Sequence, residues 1–249
     1  MITKAYIHEY GNGKMEEEHE DVSSVLKSRN IEHTLFTTKR LNRNQLQLDD
    51  KTLVVGNHPV MDSVFKRIGF ENKINCYPIS LRPHLKREVW ETTIGRFLMQ
   101  SYDEINLNVF IKPKLSNKAF TGFVVNSPQQ LFSLENFSKN MELYCSQVVH
   151  FISEYRVFVN KSKIVGMKNY YGNSELKPDI SFIKNTISDF ENSSDKTSAY
   201  GIDFGILQNN ETALVEWNDA YSLGSYNLNK EVYTNLIITR WEEILSQSF

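Results

Sequence analysis

Residues 199–219 run Ala199-Tyr200-Gly201-Ile202-Asp203-Phe204-Gly205-Ile206-Leu207-Gln208-Asn209-Asn210-Glu211-Thr212-Ala213-Leu214-Val215-Glu216-Trp217-Asn218-Asp219. Two apolar strands flank an Asn-Asn pair, which tolerates the positive φ of a two-residue hairpin turn. A turn at Asn209-Asn210 sets Asp203 opposite Glu216, with Asn218 two residues further along the same face. Like charges in facing positions destabilise a sheet, so an apolar hairpin has little reason to hold this pair without a cation. Two carboxylates and an amide oxygen are hard donors suited to magnesium, alongside water and phosphate oxygens. The competing reading is two solvated carboxylates on an exposed face.

A second hairpin lies upstream, from Ser153-Glu154-Tyr155-Arg156-Val157-Phe158-Val159 to Ile164-Val165-Gly166-Met167-Lys168. Glu154, Arg156 and Phe158 share one face. Arg156 and Lys168 come to the same face if the loop between them is odd in length or a bulge intervenes, and a two-residue loop alone separates them. Two cations on one face want an anion, and phosphate suits the fork of Arg. Solvated surface charge is the alternative. Further upstream, Val109-Phe110-Ile111-Lys112-Pro113 ends an apolar strand on a lysine, followed by a polar stretch with Lys118 and Gly122. A lysine emerging from a buried strand can hold phosphates as a point charge.

Composition limits the remaining classes. The chain has 249 residues, 40% apolar, 23% charged and 12% aromatic, enough for a substantial core. Its formal net charge is −2, from 28 basic and 30 acidic side chains, which disfavours a phosphate-backbone binder. The cluster Lys39-Arg40-Leu41-Asn42-Arg43 reads as a solvated loop. Cys76 and Cys145 stand far apart and form no CxxC, so neither a zinc site nor a disulfide framework is expected. The N-terminus offers no signal h-region, and no apolar run approaches the roughly 20 residues that span a bilayer. A cytoplasmic protein is expected, with neither nucleic acid nor membrane as partner.

The first 80 residues alternate strands and helices. Strands are expected at 5–9, 31–37, 52–56 and 73–77, and helices over 16–29, ended by Asn30, and over 59–67, ended by Gly69. This alternation predicts a small parallel sheet with helices on its faces. Gly11 and Gly13 lack the third glycine of a dinucleotide fingerprint, because position 16 is Glu, so a plain βα turn is the better reading. A helix is expected over 85–100, with Val89, Trp90, Ile94, Phe97 and Leu98 on an apolar stripe. Strands follow near 108–112, 120–125, 144–151, 154–159 and 163–170, with helices over 128–139, 178–191 and 229–247. Nothing supplies a compelling Ser-His-Asp or Cys-His arrangement, and His58, His84 and His150 read as structural or surface residues.

The order of these parts resembles the ATP-grasp superfamily, and within it a small bacterial and phage clade marked by two arginines and a lysine. The pieces that carry the likeness are Phe110-Ile111-Lys112-Pro113 with Lys118-Ala119-Phe120-Thr121-Gly122, Ser153-Glu154-Tyr155-Arg156-Val157-Phe158, and Glu216-Trp217-Asn218-Asp219 with Gly224 and Tyr226. The resemblance implies a mixed α/β (α+β) ATP-grasp fold: a small N-terminal parallel α/β pre-ATP-grasp domain over 1–84 and a catalytic region over 85–249. It implies Mg-ATP between two antiparallel sheet layers, with Lys112, Arg87 and Lys118 on phosphates. Gln147 and Val149, in Ser146-Gln147-Val148-Val149, would meet adenine through their backbone, and Glu154 would bind ribose or orient Arg156. Asp203, Glu216 and Asn218 would hold Mg²⁺, and Arg156 and Lys168 would face the γ-phosphate and an acyl-phosphate. The implied activity is an ATP-dependent carboxylate–amine ligase acting on a small-molecule or peptide carboxylate and a nucleophile acceptor. The alternatives are a kinase on the same fold and a non-catalytic ATP-binding module. Arg82 and Arg87, with Ser222 as hydroxyl donor, are the candidates for the acceptor's own binding group, and whether each meets the acceptor or ATP stays open.

Overall fold

Short apolar strands alternating with amphipathic helices build the first layer. β1 (Lys4–His8), β2 (Glu32–Phe36) and β3 (Thr52–Val55) pair in parallel in the order β2-β1-β3, as the alternation predicts. Between them run α1 (Glu17–Ser28) and a short α2 (Thr38–Asn42), which replaces the loop expected at the basic cluster. α3 (His58–Ile68) follows, capped by the Asn57 side chain on Val60 N and closed by Gly69 in the left-handed region at φ 72°. Asn30 likewise closes α1 at φ 55°. The computed structural model describes residues 1–72, 75–101, 107–114 and 120–248. Part of the strand expected at 73–77 therefore lies outside the described residues, and 75–77 are irregular.

The expected helix over 85–100 is overturned in its first half. β4 (Val89–Thr93) precedes a shorter α4 (Ile94–Ser101). Val89 and Trp90 are neighbours and so face opposite sides of a strand; each packs against a different core cluster. β5 (Val109–Pro113), β6 (Phe123–Val125), α5 (Pro128–Leu134) and β7 (Glu142–Gln147) complete an antiparallel sheet in the order β4-β7-β5-β6. A second antiparallel sheet, β11-β10-β8-β9, comprises β8 (Phe151–Asn160), β9 (Lys163–Gly172), β10 (Ala199–Leu207) and β11 (Thr212–Asp219), with α6 (Ile180–Glu191) between β9 and β10.

The last helix, α7 (Lys230–Ser248), packs back on the first layer. Leu236, Ile237, Trp241 and Ile244 share one core with Ile7, Phe36 and Leu53, and the Trp241 indole donates to Thr52 O at 2.7 Å. The boundary proposed at residue 84 thus falls in a connection between layers, while the chain's end returns across it. Among the described residues no helix is long and apolar enough to cross a membrane.

Candidate active site

The β10–β11 hairpin is built differently from the two-residue turn the sequence suggests. Near the loop, Ile206 pairs with Thr212, Gly205 with Ala213 and Phe204 with Leu214, so the connection is longer; Asn210 takes φ 64° within it. The register then shifts by one at Val215, and Asp203 pairs with Glu216 after all. One bulge offsets the longer loop. Asn218 lies on the same face, its amide nitrogen 3.3 Å from Asp203 Oδ2 and 3.4 Å from Glu216 Oε1.

The cations that offset these carboxylates come from the chain itself. Arg156, opposite Asp203 on β8, donates Nε to Oδ1 at 2.8 Å and Nη2 to Oδ2 at 2.7 Å. Gly201 leaves room for that side chain, since a Cβ there would stand 3.3 Å from Arg156 Cδ. Lys112 Nζ reaches Glu216 Oε2 at 2.5 Å and lies 4.6 Å from the Tyr77 ring centre. Burial pushes the Asp203 carboxyl up to about 6, against the pull of Arg156. Burial also acts upward on Glu216, but the Lys112 ammonium, with Arg156 and the Asn218 amide, offsets it and the group ends below its ordinary value. Lys112 is held well above the usual lysine value: burial opposes the charge, and Glu216, with Tyr77 and Cys76, outweighs it.

The β8–β9 hairpin brings Arg156 and Lys168 together. Its tight turn, with Asn160 paired to Lys163, would separate them, but the register shifts beyond Val159–Ile164 and leaves Arg156 directly opposite Lys168. Lys168 is half-buried and makes no ion pair among the described residues. Tyr226 lies over the Arg156 guanidinium at 4.9 Å and stacks on Tyr170 at 4.8 Å and 17°. The Tyr170 hydroxyl donates to Glu154 Oε2 at 2.6 Å. Burial raises the Glu154 carboxyl above its ordinary value, although that hydrogen bond opposes it.

Two cavities flank this cluster. The first, about 370 Å³, lies between the two antiparallel sheets; Lys112, Arg87, Gln147, Val149, Glu154 and Glu216 are in its lining. Its size and its polar groups set in apolar walls suit a small ligand. Within it the Gln147 carbonyl already accepts from Ser146 Oγ at 3.1 Å. Arg87 lines the same cavity, but its donors go to backbone carbonyls of β11. Lys118 lies outside the described residues.

The second cavity, about 560 Å³, is bounded by the first layer and the 219–226 segment. Arg156, Glu216, Asn218 and Ser222 line it, so Glu216 borders both cavities. Arg82 does not line it. Arg82 is 44% exposed and pairs with Glu91 at 3.5 Å. In its place the first layer contributes Glu16, Glu18, Asn57 and His58. Sequence reading did not single out Glu16 and Glu18, because acids in the first turn of a helix already answer its dipole. Tyr170, two residues beyond Lys168 and so on its face, was open to the parity argument.

The donor set fits a hard divalent cation only in part. Among the described residues no group of three or more His, Cys, Asp or Glu forms a metal cage. Two carboxylates and one amide leave the remaining positions to water and phosphate oxygens, the usual arrangement for magnesium. Asn218 points its nitrogen at both carboxylates, so it would ligate only after its amide turned over.

Residues 84–236, more than half of the chain, match the model of an ATP-grasp domain family, the second family of the clade named for two arginines and a lysine. Solved structures with the same fold include a RimK domain ATP-grasp protein from Sphaerobacter thermophilus, 12% identical, with a TM-score of 0.58 over 98% of this chain and 99% of that one. D-alanine–D-alanine ligase from Bacillus anthracis, complexed with ATP, is 12% identical with a TM-score of 0.59 over 99% and 98%. The macrocyclase MdnC from Microcystis aeruginosa, bound with precursor peptide MdnA, is 9% identical with a TM-score of 0.54 over 94% and 99%. No curated protein matches the chain.

Proposed function

The chain belongs to the ATP-grasp superfamily, in the second family of its two-arginine, one-lysine clade, and from that premise we propose that it is an ATP-dependent ligase that activates a carboxylate as an acyl-phosphate for attack by an amine. The observation that carries this reading is the junction of two cavities at Glu216, beside Arg156, Lys112 and Asp203. A nucleotide in the first cavity has its phosphates directed at this junction. The acceptor occupies the second.

In the first step a carboxylate oxygen attacks the γ-phosphorus, the bond to the bridging oxygen breaks, and ADP leaves with the electron pair. In the second, the amine nitrogen attacks the acyl carbon, inorganic phosphate departs, and the proton lost by nitrogen passes to phosphate or water. Arg156 and Lys168 offset charge on the transferring group, and Lys112 holds the nucleotide's phosphates. Gln147 and Val149 face the base, and Glu154 the ribose. Magnesium, when bound at Asp203, Glu216 and Asn218, supplies further neutralisation of the phosphate oxygens. Ser222 offers the acceptor a hydroxyl, and Glu16 and Glu18 suit an incoming ammonium better than a second carboxylate.

That a D-alanine–D-alanine ligase shares the fold supports this reading; a phosphotransferase on the same fold is the second reading. The test is product analysis with pools of amino acids, short peptides and other carboxylates, paired with amines and Mg-ATP. A ligase forms ADP and free phosphate in step with a new amide. A stable phosphorylated product in the presence of the true acceptor would overturn the assignment.

A further inference from the structure

The guanidinium of Arg87 is held by main chain. Nη1 donates to Leu214 O at 2.7 Å, Nη2 to Val215 O at 2.8 Å, and Nη1 also reaches Leu85 O at 3.2 Å. Carbonyls of successive residues in a regular strand point to opposite edges. One planar fork takes two successive carbonyls where the strand departs from that alternation. Leu214 and Val215 sit at the register shift that separates the Phe204–Leu214 pair from the Asp203–Glu216 pair. β11 is an edge strand, so carbonyls on its outer side have no neighbouring strand to receive donors. The segment before β4 covers that edge: Arg87 donates to its carbonyls, and Cys76 O accepts from Trp217 N at 2.9 Å. Tyr77 and Phe151 flank the guanidinium at 6.0 and 5.7 Å.

We propose that Arg87 is a positioning residue that pins the Val215 bulge and so sets Glu216 opposite Asp203. This rests on the roles given above to those two carboxylates. A one-residue slip of β11 would turn Glu216 to the other face of the sheet, away from Lys112 and Asp203. The bulge is therefore a point where a small backbone change removes a whole functional group. The shape of the fork matters as well as its charge. Lysine would keep a cation beside the first cavity, but its compact ammonium cannot reproduce a planar bridge across two carbonyls.

That contrast gives the test. Hydrogen exchange of the β11 amides is measured in ligand-free R87K and R87Q, together with steady-state kinetics for ATP. If Arg87 pins the bulge, both variants lose protection across residues 213–218 by about tenfold or more. R87K then loses kcat by about tenfold while its KM for ATP stays within about threefold. R87K with wild-type protection and wild-type kcat would overturn the proposal, because charge alone would then suffice. So would a raised KM for ATP with exchange unchanged, the signature of a direct phosphate contact. Should the ligase reading fail instead, no acceptor releases phosphate, yet the exchange effect in R87K persists.

Discussion

Two buried arginines each hold one aspartate through two hydrogen bonds. Arg156 holds Asp203 at 2.8 and 2.7 Å, and Arg240 holds Asp219 at 2.7 Å through both Nε and Nη2. They are 6% and 5% exposed, so neither geometry nor burial separates them. Their surroundings do. Around Arg240 the charges close on themselves: Glu243 takes Nη1 at 2.7 Å and also binds Ser198 through its backbone and hydroxyl. Around Arg156 lie Glu216, Asn218, Lys112 and the uncommitted Lys168, with cavities on both sides. A buried ion pair alone is weak evidence of function. Open space does not distinguish the two, because Arg240, Asp219 and Glu243 also line a cavity, of about 770 Å³. The second carboxylate set directly opposite Asp203, with Lys112 on it, does.

The largest expected effect is at Glu216. Glu216→Gln removes a charge from the junction of the cavities and should lower kcat by about a hundredfold or more. It should leave the fold intact, because Lys112 keeps an amide partner and the faces of Tyr77 and Tyr144. ATP consumption near the wild-type rate would erase the distinction between the two pairs.

Asp219→Asn tests the other side. Breaking a buried pair from one partner commonly costs about 3–5 kcal/mol; Glu243 still contacts Arg240, which favours the lower end. At about 2–4 °C per kcal/mol for a chain near this size, Tm should fall by roughly 10 °C. Turnover of the protein that remains folded should change far less than in Glu216→Gln. A stable but inactive Asp219→Asn protein would move Arg240 into the functional class.

Only the residues on the Arg156 side of this contrast were legible in the sequence, which singled out neither Arg240 nor the Arg156–Asp203 pair. Residue types and strand parity placed Asp203, Glu216, Arg156 and Lys168 on facing strands. Both pairings nevertheless depend on bulges, at Val215 and near Ile164–Gly166, where the side chains are as apolar as their neighbours. A bulge is a main-chain event, and side-chain pattern does not signal it. The same limit hid Arg87, whose partners are carbonyls 127 and 128 residues away. It also hid β4, where adjacent apolar residues fit a helical stripe until β7 supplied the partner strand. Arg156 and Lys112 contact the two carboxylates for which the sequence reading expected a metal ion.

A smaller effect is expected at Lys168. Lys168→Ala removes a half-buried cation that no carboxylate holds among the described residues. Stability should therefore change little, with Tm within about 2 °C of wild type. Loss of one electrostatic contact to the transferring group should lower kcat/KM for ATP by about tenfold to a hundredfold. Lys168→Arg should recover part of it, because a cation on that face is what the phosphate requires. An unaffected kcat/KM in Lys168→Ala would leave Arg156 as the one cation of the β8–β9 hairpin with a role in turnover.

The smallest effect should come from Arg82, and its smallness is informative. Arg82 is the cation that the sequence reading offered to the acceptor, yet its partner Glu91 is 39% exposed and already holds Lys114 at 2.7 Å. An exposed pair of this kind contributes about 0–1 kcal/mol. Neither cavity has Arg82 in its lining. Arg82→Ala should therefore leave KM for both ATP and acceptor within about twofold, with kcat unchanged. The second cavity predicts a different pattern for Glu18→Gln. Glu18 lines that cavity while accepting Ser225 N at 3.2 Å, so its loss should weaken an ammonium-bearing acceptor and spare ATP. Measuring both variants against one amine series decides where the acceptor enters. A large rise in acceptor KM for Arg82→Ala, with Glu18→Gln silent, would move the entrance to Arg82 and leave the second cavity without its occupant.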